Sequence, residues 1–357
     1  MSHCVVVLTS SFPRDDGDPS GHFVRSHARA LARELSPSSL HGDVRVHVIA
    51  PLDGPERAEP PLIVHPVGGA ALFRAPGALA RAAENPLRLA AAPSFAAGAI
   101  RKLRELAPIH LLICHWIVPC AWPVAASVKA PLHVVSHGAD VRLLASAPAP
   151  LREAVVRSLL DRGARFQFVA AHLLERLASA LRNDLAARLR ASSRVEPAPI
   201  ELPDVTAAAA ELRASLSLDE GERLAVCAGR LVAEKRYNLA LAAASLAPRV
   251  RVALVGDGPE RRRLGALAAA SGLGVTSTGA LPHRAALTWI AAADVLVHPS
   301  AHEGAPTVVR EARALGTRVV ACAAGDVAAW ARSDPGIAIV APDARAIAEA
   351  MMRPAPC

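Results

Sequence analysis

The sequence predicts an α/β protein built from two doubly wound parallel sheets. Short, continuous apolar runs alternate with longer helical runs, the pattern of parallel strands that are covered by helices on both faces. The alternation comes in two series, separated by the proline-rich segment VEPAPIELPDV at 195–205. A length of 357 residues also suits two domains. We therefore expect an N-terminal domain over 1–200 and a C-terminal domain over 201–357.

The first series begins with CVVVLTS (4–10), followed by a Gly/Pro/Asp loop (13–21) and a helix over 23–35. The N-terminal MSHCVVVLTSSFP lacks a basic n-region and predicts a strand, not a signal peptide. Further strands of this series are predicted at 44–51, 110–115, 131–138 and 166–171. The longest apolar run (111–128) is interrupted by His115 and two prolines, so it predicts a buried strand and helix instead of a membrane span.

The second series predicts strands at 223–229, 251–256, 274–279, 294–300 and 317–323. Open parallel sheets bind ligands beyond the carboxyl ends of their strands. Candidate site residues therefore follow strands, and five stand there: Gly21, His137, Arg230, Gly256 and Glu303. The alternative is that these loops collect glycine and polar residues simply because they are loops.

Charge is distributed unevenly along this basic chain. Residues 1–200 carry 23 Lys/Arg against 16 Asp/Glu, whereas residues 201–357 carry 17 against 16. With aromatic residues at 3%, nucleic acid is the least favoured anionic partner. The basic, apolar helical stretch 72–106 predicts weak contact with an anionic membrane, unless these helices pack on their own sheet. Six cysteines without a CxxC pair predict buried thiols in the cytoplasm.

Two cations follow the first strand of the second series, in AGRLVAEK (228–235). Arg230 stands at the strand end and Lys235 lies five residues further on, just before a helix. A planar guanidinium and a flexible ammonium can together bind a diphosphate. The alternative is that both are surface charges, with Lys235 paired to Glu234 or Asp257.

The segment HEGAPTVVREARALG (302–316) predicts an anion site at a helix start. Gly304, Ala305 and Thr307 offer backbone N–H groups there, although Pro306 offers none. Glu303 could cap that helix instead of contacting a ligand. Glu311 lies beside the apolar face of the helix and needs a polar partner, which a ribose diol would supply.

Three further stretches are weaker candidates. His137 ends the strand HVVSH (133–137) and could be a base, a hydrogen-bonding group or a satisfied loop residue. DDGD (15–18) has the composition of a metal site, but its Gly/Pro surroundings favour a solvated loop. VGDGPERRR (255–263) lacks the full dinucleotide fingerprint, and its arginines predict a solvated helix face.

Taken together, these stretches resemble the family 4 retaining glycosyltransferases, also called glycosyl transferases group 1, of GT-B fold. The resemblance covers almost the whole chain in order, through FPRDDGDPSGHFVRSHARALA, HWIVP, SHGADV, AGRLVAEK, LVGDGPE and ADVLVHPSAHEGAPTVVREARALGTRVVA. The last is the most specific, with two glutamates separated by seven residues and then an Ala-x-Ala-x-Gly turn. PAPIELPDV replaces the Asn-Gly-Val-Asp that is usual after the linker.

The resemblance implies two Rossmann-like domains facing across a cleft, with acceptor contacts in 1–200 and the nucleotide-sugar in 201–357. Arg230 and Lys235 would bind the donor diphosphate, Glu303 the sugar hydroxyls at the reacting face, and Glu311 the ribose. His137 would lie near the transferred sugar. Gly21, Gly304, Ala305 and Thr307 would also contact the donor.

The implied activity is retaining transfer of a sugar from a nucleotide-sugar to a glycan, lipid or small-molecule acceptor, in bacterial polysaccharide or glycolipid synthesis. Neither a cofactor nor a metal is expected, because the two cations already serve the diphosphate. The resemblance places the protein in the cytoplasm, with peripheral membrane contact as a further expectation. Two alternatives stay open: a nucleotide-sugar epimerase of the same fold, and a non-catalytic nucleotide-sugar-binding relative.

Overall fold

The structure is a computed structural model that describes residues 3–15, 17–18, 20–35, 44–73 and 77–353. The chain divides into two compact units, Met1–Pro199 and Ile200–Cys357. The division falls inside the proline-rich segment 195–205. Each unit contains one sheet and the helices that cover it, so each has a core of its own.

The N-terminal unit is organised around one sheet with strand order β3-β4-β2-β1-β5-β6-β7-β8. All neighbouring strands in it are parallel except β3 and β4. Its strands are β1 His3–Leu8, β2 Val44–Ala50, β3 Arg57–Glu59, β4 Leu62–Pro66, β5 Leu111–His115, β6 Leu132–Ser136, β7 Arg165–Phe168 and β8 Ser193–Val195. Its α-helices are α1 His22–Leu35, α2 Ala70–Phe73, α3 Ala78–Glu84, α4 Ala91–Glu105, α5 Ala139–Ser146, α6 Ala149–Asp161, α7 Ala171–Ala178 and α8 Asn183–Ala191.

The C-terminal unit has an all-parallel sheet with strand order β11-β10-β9-β12-β13-β14. Its strands are β9 Arg223–Ala228, β10 Val250–Val255, β11 Val275–Gly279, β12 Val295–His298, β13 Arg318–Cys322 and β14 Ile337–Val340. Its α-helices are α9 Thr206–Ser215, α10 Tyr237–Ser245, α11 Arg261–Ala270, α12 His283–Ala292, α13 Thr307–Ala314, α14 Val327–Trp330 and α15 Ala344–Met352.

The central strands explain why these sequences form parallel sheets. In β9, β12 and β13 every residue but Arg223 is buried, so both faces of each strand are covered by helices. Burial on both faces selects continuous apolar runs such as VLV and VVAC over alternating ones. The strand order also reverses on either side of β1 and of β9, which confirms the predicted pair of doubly wound, Rossmann-like units.

Several expectations need correction at the level of single elements. The short strands β3, β4, β8 and β14 lie outside the predicted set. The DDGD loop is not simply solvated, because Asp18 is buried and accepts hydrogen bonds from the backbone and the guanidinium of Arg14. Asp16 lies outside the described residues, as do 74–76 of the basic stretch and Cys357. In the described part of the chain, no helix is both long and apolar enough to cross a bilayer.

Candidate functional site

The centre of the candidate site is an ion pair between Lys235 and Glu303. Strands β9 and β12 are neighbours in the C-terminal sheet, and the loops that follow them carry these two residues. Lys235 Nζ donates to Glu303 Oε1 over 2.5 Å, and the side chains are 18% and 13% exposed. The pair is therefore half-sheltered from water, where an attraction between charges is stronger than at an open surface. Neither expected alternative partner, Glu234 or Asp257, takes the place of Glu303.

A third side chain completes the surroundings of this carboxylate. His298, the last residue of β12, is buried, and its Nε2 lies 3.0 Å from Glu303 Oε1 at an angle outside hydrogen-bond geometry. Burial acts to raise the pKa of Glu303, but the closeness of His298 and the charge of Lys235 outweigh it and lower that pKa to about 2. Burial lowers the pKa of His298. Glu303 is consequently ionised at neutral pH.

The loops after β9 and β12 are joined by contacts that fix the ion pair. Arg236 adopts a left-handed backbone and donates its guanidinium to the carbonyls of Pro299 and Ser300 over 2.7 and 2.8 Å. The amide of Ala301 donates to the carbonyl of Glu234 over 2.8 Å. These bonds span 63 to 67 positions in sequence, so the site depends on the pairing of β9 with β12.

A close backbone approach shapes the strand end that carries Arg230. A Cβ at Gly256 would lie 2.0 Å from the carbonyl oxygen of Gly229, so the loops after β10 and β9 touch where only glycine fits. Both glycines also have φ near +140°, which L side chains rarely adopt. Arg230 follows directly and is exposed. The predicted cation at this strand end is therefore available to solvent.

The helix after β12 begins beyond Glu303, which rules out the capping interpretation of that residue. Helix α13 starts at Thr307 with Pro306 at its N-cap, and no side chain caps it. Gly304 meets the loop after β13: Asp326 donates its amide to the Gly304 carbonyl over 3.2 Å, and a Cβ at Gly325 would lie 2.2 Å from that oxygen. Ala305 lies between Gly304 and the N-cap Pro306, and Thr307 is the first residue of α13.

Glu311 has a partner inside the protein. It lies in the second turn of α13, is 5% exposed and accepts a hydrogen bond of 2.8 Å from His283 Nε2. His283 is the first residue of α12. The predicted need of Glu311 for a polar partner is thus met by the imidazole.

In the N-terminal unit, a buried carboxylate on the following helix binds the residues on either side of His137. Asp140 accepts from the Gly138 amide, from the Ser136 hydroxyl and from the Ile117 amide, at 3.1, 2.9 and 2.8 Å. Burial raises the pKa of Asp140 although these hydrogen bonds oppose it. By binding the loops after β5 and β6 at once, Asp140 fixes where His137 projects.

Gly21 serves the loop that precedes α1. Its φ is +66°, and a Cβ there would lie 2.5 Å from the carbonyl oxygen of Ser11. Its own carbonyl accepts the first amide of the helix, from Val24, over 2.9 Å. The close approach at Gly21 thus joins two parts of the loop itself, and the expected contact of Gly21 with the donor stays a prediction.

Two histidines of the C-terminal site were missed from sequence. His298 ends β12, so the rule that functional side chains follow strands could have selected it. His283 stands at a helix start after Gly279, with no signal linking it to Glu311 beforehand. The structure brings Lys235, Glu303 and His298 together in one cluster and joins Glu311 to His283 in a second.

Comparison with known proteins identifies the family that carries this arrangement. The family model described as glycosyl transferases group 1 matches residues 209–353, which contain both clusters. This segment belongs to the glycosyl transferases group 1 family. Over 259 residues it is 31% identical to the teichuronic acid biosynthesis glycosyltransferase TuaC of Bacillus subtilis. That match covers 71% of this chain but 62% of TuaC, so the chain spans less than two thirds of that relative.

Solved structures show that the chain has the GT-B fold. Sucrose-phosphate synthase from Thermosynechococcus elongatus superimposes with a TM-score of 0.73 at 21% identity, covering 98% of this chain and 89% of that one. Anabaena HepE, solved with UDP and glucose, gives 0.65 at 18% identity, with coverage of 98% and 89%. At these identities the likeness establishes the fold alone. The expected GT-B class is thereby confirmed.

Proposed function

We propose that this chain is a retaining glycosyltransferase that moves a sugar from a nucleoside diphosphate donor to a glycan, lipid or small-molecule acceptor. The observation that carries the proposal is the Lys235–Glu303 ion pair beside the start of α13. When the sugar leaves, negative charge grows on the diphosphate. A lysine ammonium, an exposed guanidinium and free helix amides are the groups that stabilise such charge.

The ion pair explains how one site can hold both ends of the donor. Glu303, an anion at neutral pH, would repel a diphosphate unless a cation stood between them. Lys235 supplies that positive charge. Arg230 supplies a second positive charge in the loop after β9. Glu303 is then directed to sugar hydroxyls, for which a carboxylate is a strong hydrogen-bond acceptor.

The anomeric configuration is retained if the acceptor attacks the anomeric carbon from the same face on which the leaving group departs. In that proposal the acceptor hydroxyl forms the new bond to the anomeric carbon as the bond to the phosphate oxygen breaks. The hydroxyl proton passes to the departing phosphate oxygen, so no separate base is needed. His137 contacts the sugar, and Glu311 contacts the ribose alongside its bond to His283.

The experiment that tests this activity measures release of free nucleoside diphosphate from UDP-, GDP- and ADP-sugars by the full chain. Uridine nucleotides come first, since HepE was solved with UDP. Glu303→Gln keeps the shape and removes the charge, and Arg263→Ala on the exposed face of α11 serves as the matched control. Turnover in Glu303→Gln equal to that in Arg263→Ala would contradict the assignment. Conversion of the donor to an isomer without release would instead favour the epimerase, and binding without either would favour a non-catalytic relative.

We also propose peripheral contact between the N-terminal unit and an anionic membrane, on the inner face of the plasma membrane. The support is local: Leu87 is 82% exposed and Leu89 53% exposed in the turn between α3 and α4. Arg88 stands between them, and the unit carries the larger excess of basic residues. Exposed leucines beside arginines suit the boundary between lipid headgroups and acyl chains. Acceptors linked to lipid would then be reached at that surface.

A further inference from the structure

Three histidines of the N-terminal unit form a continuous series of ring contacts. His27 Nδ1 lies 3.1 Å from His115 Nε2, and His115 Nδ1 lies 2.8 Å from His137 Nε2. Both distances are those of hydrogen bonds between nitrogens. His115 is fully buried and uses both ring nitrogens, whereas His27 and His137 at the two ends are partly exposed. The series therefore runs from one partly exposed ring to another through a buried one.

The strand register explains why these rings meet. His115 in β5 pairs with Val135 in β6, and His137 stands two positions beyond Val135. Residues two apart along a strand share a face, so His115 and His137 project to the same side of the sheet. Helix α1 lies against them: His27 contacts His115, and Phe23, one turn earlier, lies 4.7 Å from His137 between ring centroids.

A neutral imidazole has one N–H donor and one bare nitrogen that accepts. His115 is bonded through both of its ring nitrogens. The nitrogen that carries the proton needs an acceptor as its partner, and the bare nitrogen needs a donor. Two arrangements satisfy all three rings, with every proton pointing along the series or every proton pointing back. In each of them the tautomer of His137 is determined by the other two residues.

The surroundings keep the series uncharged. Burial, with the charge of neighbouring His133 and Arg194, lowers the pKa of His27 to about 4. Burial and His27 lower the pKa of His137 to about 3. The pKa of His115 is also lowered, first by burial and then by its histidine neighbours.

We propose that His27 and His115 are positioning residues that couple the tautomer of the neutral His137 imidazole to their own, so that the direction of the series decides whether His137 Nδ1 donates to the transferred sugar or accepts from it. The inference rests on the proposed function for the sugar contact, but the tautomer itself does not depend on it. A sugar hydroxyl can both donate and accept, so fixing the imidazole fixes the orientation of the hydroxyl in turn. His137 is then a hydrogen-bonding group, and no proton is transferred through it.

The test uses the full chain labelled with ¹⁵N-histidine, in which ring nitrogen shifts report the tautomer directly. In the unaltered protein at neutral pH, His27, His115 and His137 should show the same tautomer, either Nδ1–H in all three rings or Nε2–H in all three. His27→Leu should change the proportions of the two tautomers at His137 and lower donor turnover about three- to tenfold, the range for one neutral hydrogen bond, with little change in nucleoside diphosphate affinity. His115→Phe should have the larger effect because it removes both bonds. His27→Asn, whose amide stands near the Nδ1 position, should restore much of the turnover.

The same unit offers a matched control. His47 and His65 form a second pair, with Nδ1 and Nε2 2.8 Å apart and rings stacked, on β2 and β4. His47→Leu breaks this comparable pair and should leave both the His137 tautomer and turnover unchanged. His27 is partly exposed on α1, so His27→Leu keeps the test decisive if His115→Phe fails to fold.

The outcomes separate this proposal from the proposed activity. If the unaltered protein turns over no nucleotide-sugar, the activity fails while the tautomer measurement still decides the histidine series. Different tautomers, or different proportions of them, at the three rings of the unaltered protein overturn the proposal. So does a His27→Leu variant whose His137 spectrum and turnover match those of His47→Leu.

Discussion

The two units place their candidate side chains at equivalent positions, at the carboxyl ends of central strands, but they use opposite chemistry. In the N-terminal unit the last residue of β5, His115, and the first residue after β6, His137, are histidines that bond to each other, and the pKa of each is lowered. In the C-terminal unit the loops after β9 and β12 carry a lysine and a glutamate in a 2.5 Å ion pair. Eleven of the 14 histidines fall in residues 1–199.

The difference shows that one architecture can present either fixed charge or neutral hydrogen-bonding groups at the same place. Charges suit a diphosphate whose negative charge grows in the transition state. Neutral imidazoles suit hydroxyl groups, which exchange hydrogen bonds without a change of charge. On the proposed function, the C-terminal unit stabilises the leaving group while the N-terminal unit orients the sugar.

The largest effect is expected from removing the cations of the C-terminal unit. Lys235→Ala and Arg230→Ala should each slow donor turnover roughly ten- to hundredfold, because a charge-assisted contact is worth about 1.5–3 kcal/mol. Steady-state kinetics and calorimetry with the bare nucleoside diphosphate measure both consequences. Lys235→Ala also leaves Glu303 without its partner, so the double variant Lys235→Met with Glu303→Gln is the necessary comparison. If turnover in Arg230→Ala equals that in Arg263→Ala, Arg230 is only a surface charge.

The two glutamates should divide by the end of the donor that each contacts. Glu303→Gln should reduce transfer by about tenfold or more while leaving affinity for the bare nucleoside diphosphate unchanged or raised, since an anion near the phosphates is removed. Glu311→Ala should weaken the bare nucleotide, because its proposed partner is the ribose.

His283→Leu provides the control for Glu311, since it removes the imidazole that is bonded to that carboxylate but not the carboxylate. Calorimetry with and without the sugar distinguishes these cases. Equal behaviour of Glu303→Gln and Glu311→Ala toward the bare nucleotide would remove the assignment of one glutamate to each end.

Acid should destabilise the N-terminal unit more than the C-terminal unit. The pKa of His27 falls from 6.5 to about 4 on folding, so the unfolded chain binds more protons and stability is lost as pH drops from about 6.5 toward 4. Folding also lowers the pKa of five other histidines of the N-terminal unit, namely His47, His65, His115, His133 and His137. In the C-terminal unit it lowers the pKa of His298. Glu303, lowered from 4.5 to about 2, contributes stability that is present above pH 4.5 and lost toward pH 2.

The N-terminal unit should therefore open first on mild acidification. Hydrogen exchange of peptides from each unit, corrected for the intrinsic rate, should show the larger loss of protection there between about pH 7 and about pH 5. Equal loss in both units would mean that the histidines are not held neutral by burial.

Membrane contact should be a smaller and salt-sensitive effect that belongs to the N-terminal unit. Co-sedimentation with vesicles containing anionic lipid should decrease as salt rises. Replacing Leu87 and Leu89 by serine should weaken it, whereas replacing exposed Leu267 on α11 should not. Binding that ignores salt, or that the Leu267 variant loses equally, would contradict a basic, leucine-bearing contact.

The smallest effect is expected from metal removal. If Lys235, Arg230 and the helix amides serve the diphosphate, excess chelator should leave donor turnover unchanged within about twofold. The measurement is the initial rate before and after dialysis against chelator. Activity that is lost and then restored by Mg²⁺ or Mn²⁺ would require a cation at the phosphates and would reopen the acidic loop 15–18 as a candidate site.

Local sequence patterns determined much of the fold. Continuous apolar runs predicted the ten strands that the sequence analysis proposed, because a strand buried on both faces excludes polar residues along its whole length. The same rule placed Arg230 and Glu303 at strand ends. It could not find β3, whose Arg-Ala-Glu sequence lies at the edge of the sheet, where solvent tolerates polar residues.

The partners of the site residues were decided by tertiary structure. Lys235 meets Glu303 across 68 positions because β9 and β12 are neighbours, and Glu311 meets His283 because α12 and α13 flank the same strand end. His27, His115 and His137 form a series only through the register of β5 with β6 and the placement of α1. A hydrogen bond depends on distance in space, and when strand order differs from chain order, separation along the sequence carries no information about it.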